Sequence, residues 1–132
     1  MTENYERSGV LKELALEVIN EYTDLRYIIQ MGISFDCVMS QKEKTSKGRV
    51  VLGECIKVRE LYQAYIPYEF LIVIYGPNIA HLNDNQKKIL LYHELLHIGF
   101  TEKDGEIKYK VNPHDVEEFD MILKRYGADW TG

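Results

Sequence analysis

Two histidines and a glutamate within five consecutive residues could carry out chemistry together. His93, Glu94 and His97 form the pattern His-Glu-x-x-His. Residues four apart lie one above the other on a helix face, so His93 and His97 can direct two imidazole nitrogens at one metal ion. Glu94 lies one position further round the helix, where its carboxylate can accept a proton from zinc-activated water. The motif predicts a hydrolase with one Zn2+ per chain.

An accidental occurrence of the motif is the alternative interpretation of these residues. His93 and His97 would then be core or boundary histidines that are satisfied by backbone carbonyls. The helix around them is apolar nearly all round, and its apolar residues are Ile89, Leu90, Leu91, Leu95, Leu96, Ile98 and Phe100. Two histidines and a glutamate buried there need a compensating partner, and a bound cation supplies one. We therefore favour the metal site.

The motif provides two of the three protein ligands that a catalytic zinc ion usually has. Phe100 and Lys103 occupy the positions where the longer HExxHxxGxxH pattern requires glycine and histidine, which excludes that arrangement. The third ligand must therefore come from elsewhere. His114, at the start of a later predicted helix, is the preferred candidate. Glu117 or Glu118 is the alternative, or else accepts a hydrogen bond from a ligand imidazole.

His81 is the remaining histidine, and its role separates two hypotheses about function. It precedes the motif helix, where we expect a solvated or capping side chain rather than a metal ligand. A fourth protein ligand would close the site and make the zinc structural. Binding of the metal by His81 would therefore favour the second hypothesis, a non-hydrolytic zinc-containing regulatory or protein-binding module. A metal-free interaction domain is a third.

The first half of the chain predicts one helix and two strands. Apolar residues at helical spacing predict an amphipathic helix from Gly9 to Tyr22, capped by Ser8. Two segments that alternate between apolar and polar residues, 33–40 and 49–58, predict a hairpin. The polar and charged segment 41–48 between them is expected to be its loop.

The second half of the chain contains the elements that position the motif. An almost continuously apolar segment at 68–75 predicts a buried strand. A helix at 83–98 follows, with Asn83 and Gln86 spaced as a capping box. Asp104-Gly105 predicts the tight turn of a small hairpin. A last helix, from Asn112-Pro113 to Gly127, completes a single α+β domain over residues 1–132, with a small mixed sheet of three to four strands.

Composition and charge limit the classes of partner. Of the 132 residues, 45% are hydrophobic and 28% are charged, which is typical of a globular domain. The formal charge of -5 has the wrong sign for a phosphate backbone, so direct nucleic-acid binding is not expected. The sequence contains no membrane-length apolar run and no signal-peptide pattern, so the expected location is the cytoplasm. Cys37 and Cys55 lack CxxC spacing and are expected to be buried thiols.

Two segments of the chain resemble the putative phage metallopeptidases, which are relatives of the SprT-like zincins. The first segment is Tyr92-His93-Glu94-Leu95-Leu96-His97, and the second is Pro113-His114-Asp115-Val116-Glu117-Glu118-Phe119. The resemblance implies a minimal zincin-like fold, in which a small sheet covers the motif helix and a later helix supplies the third histidine. It implies His93, His97 and His114 as zinc ligands and Glu94 as the catalytic base. It also implies a phage or prophage origin in a bacterial host.

The motif and the resemblance together predict hydrolysis of peptide bonds in a protein or peptide substrate. Zinc would lower the pKa of a water molecule and polarise the scissile carbonyl. Glu94 would take the proton from that water and pass it to the leaving amine. An extended substrate is expected to add to an edge of the sheet beside the motif helix.

Overall fold

A computed structural model describes residues 4–113 of the protein, and within this range the fold is α+β, as the sequence predicts. Its elements are β1 (Tyr5–Arg7), α1 (Gly9–Glu21), α2 (Arg26–Gln30), β2 (Phe35–Ser40), β3 (Thr45–Ser46), β4 (Arg49–Val50), β5 (Gly53–Lys57), β6 (Phe70–Tyr75), α3 (Asp84–Leu95), β7 (Ile98–Lys103) and β8 (Glu106–Val111). Short 3-10 helices occur at Thr23–Leu25, Glu60–Ala64 and Gly76–Ile79. Beyond Pro113, the predicted C-terminal helix lies outside the described residues.

The main sheet is the small mixed sheet that the sequence predicts. Its strands lie in the order β1-β2-β6-β5. β2 and β6 are parallel, whereas the other neighbouring pairs are antiparallel. β6 takes a central position because it is apolar along its whole length, and Phe70, Ile72 and Ile74 are fully buried. Among the described residues, β5 forms one edge of the sheet.

The predicted hairpin between segments 33–40 and 49–58 is wrong. β2 and β5 both pair with β6, one on each side of it. Alternation identifies a strand but not its partner, and β6 offers both strands a fully apolar neighbour. The segment 49–58 is also divided into two strands, β4 and β5. Of these, β4 pairs with β3, which lies within the predicted loop 41–48. These two short strands form an exposed arm.

Helices α1 and α3 pack against each other and close the core. Ser8 caps α1 as predicted, because its Oγ accepts a hydrogen bond from the backbone N–H of Leu11 at 3.2 Å. The core that these helices share with β2 and β6 includes Ala15, Val18, Ile19, Phe35, Cys37, Phe70, Ile72, Ile74, Leu91, Tyr92 and Leu95. Within the described range, no helix is both long and apolar enough to span a membrane.

Helix α3 carries most of the motif. Its capping box is confirmed: the Asn83 side chain accepts from the Gln86 backbone N–H at 2.8 Å, and the Gln86 side chain accepts from the Asn83 backbone N–H at 2.9 Å. The predicted end at Ile98 is wrong, because α3 ends at Leu95 and β7 already begins at Ile98. His97 therefore lies in the turn after the helix.

The hairpin of β7 and β8 returns the chain to the end of α3. Its turn is Asp104-Gly105, as predicted, with φ angles of 53° and 81°. Such positive φ angles fit the twist of a two-residue hairpin. The last pair in the register joins Ile98 to Val111. This pairing brings the chain beyond Val111 beside His97.

Candidate metal centre

The structure brings the rings of the two motif histidines together, although only His93 lies in α3. The ring centroids are 5.1 Å apart, and the ring planes meet at 83°. Hydrogen bonding close to that of a helix continues past Leu95, because the backbone N–H of His97 donates to the carbonyl of Glu94 at 3.1 Å. The turn therefore keeps His97 near the helix face on which His93 lies.

A backbone carbonyl selects the tautomer of His97. Nδ1 of its ring lies 2.5 Å from the carbonyl oxygen of Asn112. Because a carbonyl oxygen only accepts hydrogen bonds, Nδ1 carries a proton, which leaves Nε2 as the ring nitrogen that can offer a lone pair to a metal ion. Nε2 is shielded from solvent. This is the form in which histidine binds a metal ion through Nε2, so His97 fits the role of a ligand.

Glu94 is buried against the edge strand β5. Its side chain is only 4% exposed. A Cβ atom at Gly53 would lie in van der Waals contact with Cγ of Glu94, at 3.4 Å, and closer than normal to Cδ1 of Ile74 and the carbonyl of Val73, at 2.9 Å and 3.1 Å, so glycine relieves crowding where β5 approaches Glu94. From the sequence alone, Gly53 is interpreted only as an interruption in a strand. A glycine inside a strand can also mark a place where another part of the protein approaches the backbone closely, and this signal could have identified Gly53.

The motif opens into a cleft of about 430 Å³. Glu94 and His97 line it from the end of α3. One wall is the first part of β5, from Gly53 to Ile56, and the other consists of Val111, Asn112 and Pro113. The cleft thus combines an acidic side chain, an imidazole and the backbone of an edge strand.

Within residues 4–113, no three or more His, Cys, Asp or Glu side chains are placed closely enough to hold a metal ion. The predicted ligands His93 and His97 provide two donors. The candidates for the third, His114, Glu117 and Glu118, lie outside the described residues.

The structure separates His81 from the motif. His81 is exposed and precedes the N-terminus of α3, whereas His93 lies in the last turn of that helix. A helix of 12 residues spans about 18 Å, so the two histidines are at opposite ends. This position agrees with a solvated His81 and gives no support to a site closed by four protein ligands.

A second polar cluster holds the β3–β4 arm beside the cleft. The Glu54 carboxylate accepts hydrogen bonds from Nζ of Lys44 at 2.5 Å and from the hydroxyl of Tyr75 at 2.6 Å. Burial raises the pKa of Glu54, but these bonds and the Lys44 charge outweigh it, so the pKa lies below its ordinary value. Burial, together with Glu54, raises the pKa of Tyr75. Glu54 is therefore a carboxylate that the fold keeps ionised.

The two cysteines have different environments. Cys37 is fully buried, and burial raises the pKa of its thiol to about 12. Cys55 is only partly buried and lines the cleft, so the prediction of two buried thiols is wrong for Cys55. The difference arises because Cys37 lies in an inner strand, whereas Cys55 lies in an edge strand.

Comparison with known proteins adds a family to this geometry. A family model described as Putative phage metallopeptidase matches residues 3–132. Neither the curated proteins nor the solved structures contain a significant match. The match to the family model includes the motif and the segment that holds the predicted third ligand. Because it extends over nearly the whole sequence, the chain belongs to the putative phage metallopeptidase family.

Proposed function

We propose that this protein is a zinc-dependent metallopeptidase that hydrolyses peptide bonds in protein or peptide substrates. The observation that carries the proposal is the cleft in which Glu94 and His97 meet, with the ring of His97 held in the tautomer that binds metals. Family membership supports the same chemistry, since the family is named for metallopeptidases. SprT-like zincins are the proposed relatives, and the cytoplasm of a phage's bacterial host is the proposed location.

His93, His97 and His114 are the proposed ligands of one zinc ion per chain, with Glu117 or Glu118 as the alternative third ligand. Pro113, the residue immediately before His114 in the sequence, lines the cleft, and this supports His114. A zinc ion bound there supplies Lewis acidity, which acidifies a water molecule and polarises a peptide carbonyl.

Glu94 is the proposed general base. Its buried carboxylate takes a proton from the attacking water and delivers it to the nitrogen of the leaving amine. The side chain of Glu94 packs beside Gly53 of β5, because a Cβ atom at that position would be in van der Waals contact with its Cγ atom. The proposed proton transfer thus uses a carboxylate that is buried before substrate binds.

The outer edge of β5 is the proposed binding site for the substrate backbone. Residues Gly53 to Ile56 line the cleft and belong to an edge strand of the described sheet. An extended peptide can add to such an edge through backbone hydrogen bonds, which select an unfolded segment rather than a particular side chain. The scissile bond would then lie beside Glu94.

The variant Glu94→Gln tests this function. The amide has nearly the shape of the carboxylate but cannot accept the water proton, so cleavage of a labelled denatured protein should fall by about 100-fold or more while zinc binding is retained. The control is Glu102→Gln on β7, which makes the same change at an exposed position away from the cleft. Cleavage by Glu94→Gln at the rate of the parent protein would remove Glu94 from the mechanism.

A further inference from the structure

We propose that Asn112 is a positioning residue that fixes the orientation of the His97 ring for metal binding. This inference rests on the proposed function, because it assigns His97 a metal to bind. Asn112 immediately follows β8, and from the sequence it marks only the start of the last predicted helix. The structure alone places it beside the metal centre.

The position of His97 outside α3 explains why such a residue is needed. A side chain within a helix takes its direction from the regular backbone around it, but α3 ends at Leu95. The carbonyls of the last helical turn and of the following residues also lack partners within the helix. The turn at residues 96–97 must therefore obtain its hydrogen bonds, and His97 its orientation, from another element.

Asn112 provides those contacts at three points. Its backbone N–H donates to the carbonyl of His97 at 2.6 Å, and its carbonyl oxygen accepts from Nδ1 of the same residue. Its side-chain amide donates to the carbonyl of Leu96 at 3.2 Å. One residue thus binds the backbone on both sides of the ring and the ring itself. This combination fixes both the tautomer and the direction of Nε2.

Gly99 in β7 accommodates the Asn112 side chain. A Cβ atom at Gly99 would lie 2.2 Å from Oδ1 of Asn112 and 2.5 Å from its Cγ, which no real pair of atoms could tolerate. The amide group therefore packs directly on the β7 backbone, where only glycine leaves space for it. The pair Gly99 and Asn112 acts as one unit that spans the hairpin.

Asn112 lies two residues before the proposed third ligand in the sequence. Asn112 is followed by Pro113, which lines the cleft, and then by the proposed ligand His114. The residue that orients the second histidine of the motif is therefore anchored at the start of the segment that carries the third ligand. Loss of the Asn112 side chain should disturb the direction of the ring.

Zinc affinity, measured by competition with a chromophoric chelator, is the first test. Partners that orient a metal ligand typically contribute about 10- to 100-fold to affinity. Asn112→Ala keeps the carbonyl that bonds the ring and removes only the amide that anchors it, so zinc binding should weaken by about 10-fold, the lower end of that range. Asn112→Asp nearly keeps the size of the side chain but cannot donate to the Leu96 carbonyl, so it should weaken binding as well. Lys110→Ala, at an exposed position of β8, is the control and should bind zinc as the parent does. Unchanged affinity in both Asn112 variants would overturn the inference.

The tautomer of His97 is a second readout that a purely structural role would not change. In the metal-free parent at mildly alkaline pH, 15N chemical shifts of the ring should show the proton on Nδ1. Asn112→Ala keeps the backbone carbonyl that contacts Nδ1 but removes the side-chain hydrogen bond to the Leu96 carbonyl that holds this carbonyl in place, so the ring should populate both tautomers. A ring that keeps the parent tautomer in this variant would contradict the inference. Because this experiment needs no zinc, it remains decisive even if the parent binds none, which would refute the proposed function separately.

The double variant Gly99→Ala/Asn112→Ala tests whether the two residues act together. Gly99→Ala alone should weaken zinc binding, because the new methyl group displaces the Asn112 amide. In the double variant the clash is absent, so its loss of affinity should be clearly smaller than the sum of the two single losses, both expressed as free energies. Additive losses would show that Gly99 does not act through Asn112.

Discussion

Gly53 lies where the edge strand β5 packs against Glu94, the proposed general base. Glu94 is buried in the last turn of α3, and the β5 backbone lies against it at a position, Gly53, where a Cβ atom would crowd Ile74 and the Val73 carbonyl. The polar function of Glu94 thus depends on close packing of a strand on a helix. A side chain at this position should disturb both stability and chemistry.

The variant Gly53→Ala tests this dependence. The added methyl group would lie 2.9 Å from Cδ1 of Ile74 and 3.1 Å from the carbonyl of Val73, so the Ile74 side chain must move and we expect β5 to shift slightly. Overpacking of this kind costs about 1–3 kcal/mol, which urea unfolding would measure, and kcat should fall because Glu94 shifts with the strand. The control is Gly9→Ala, since a Cβ atom at Gly9 would meet nothing within 4 Å. Unchanged stability and kcat in Gly53→Ala would show that β5 does not constrain Glu94.

The residues of the motif could be predicted from the sequence, but those that support them could not. His93, Glu94 and His97 follow a local spacing that has one physical meaning on a helix. Gly53 and Asn112 approach them only through the pairing of β5 with β6 and of β8 with β7. Neither residue lies near the motif in sequence, so no local spacing could reveal its role.

At the scale of the elements, features set by neighbouring residues were predictable. The Ser8 cap, the capping box of Asn83 and Gln86 and the Asp104-Gly105 turn are confirmed because each depends on a few adjacent residues. The β2–β6 pairing and the early end of α3 were missed because they depend on distant packing. The strand β1 was missed because its three residues form a strand only through pairing with β2.

The β3–β4 arm makes a prediction about pH. The hydrogen bond and charge of Lys44 help hold the pKa of Glu54 below its ordinary value. A carboxyl group whose pKa is lowered in the folded state stabilises the protein above its unfolded pKa, near 4.3, and this stability is lost as pH falls through the folded value. Lys44→Met should therefore destabilise the protein by about 0.5–1 kcal/mol at neutral pH and progressively less in acid.

Urea unfolding of the parent and of Lys44→Met, at neutral pH and at about pH 3.5, would measure this dependence. Lys42→Met is the matched control, because Lys42 is exposed in the same segment. A difference between parent and Lys44→Met that stays constant over this pH range would show that the ion pair with Glu54 does not stabilise the arm.

At the scale of the whole molecule, the core and the cleft are separate but share α3. One side of that helix contributes Leu91, Tyr92 and Leu95 to the core. Its C-terminal end contributes His93 and Glu94 to the proposed site. The packing of α3 in the core therefore rests on apolar side chains rather than on the two histidines. We accordingly expect variants of the two histidines to lose metal without losing the fold.

Metal content tests the central claim most directly. Mass spectrometry of the natively purified full chain should find about one zinc ion per chain. The double variant His93→Ala/His97→Ala should contain almost none while its circular dichroism spectrum remains that of the parent, and His81→Ala, the control, should contain as much zinc as the parent. A parent protein that binds no metal even when zinc is supplied, or a double variant that retains it, would contradict the proposed zinc site and with it the proposed function.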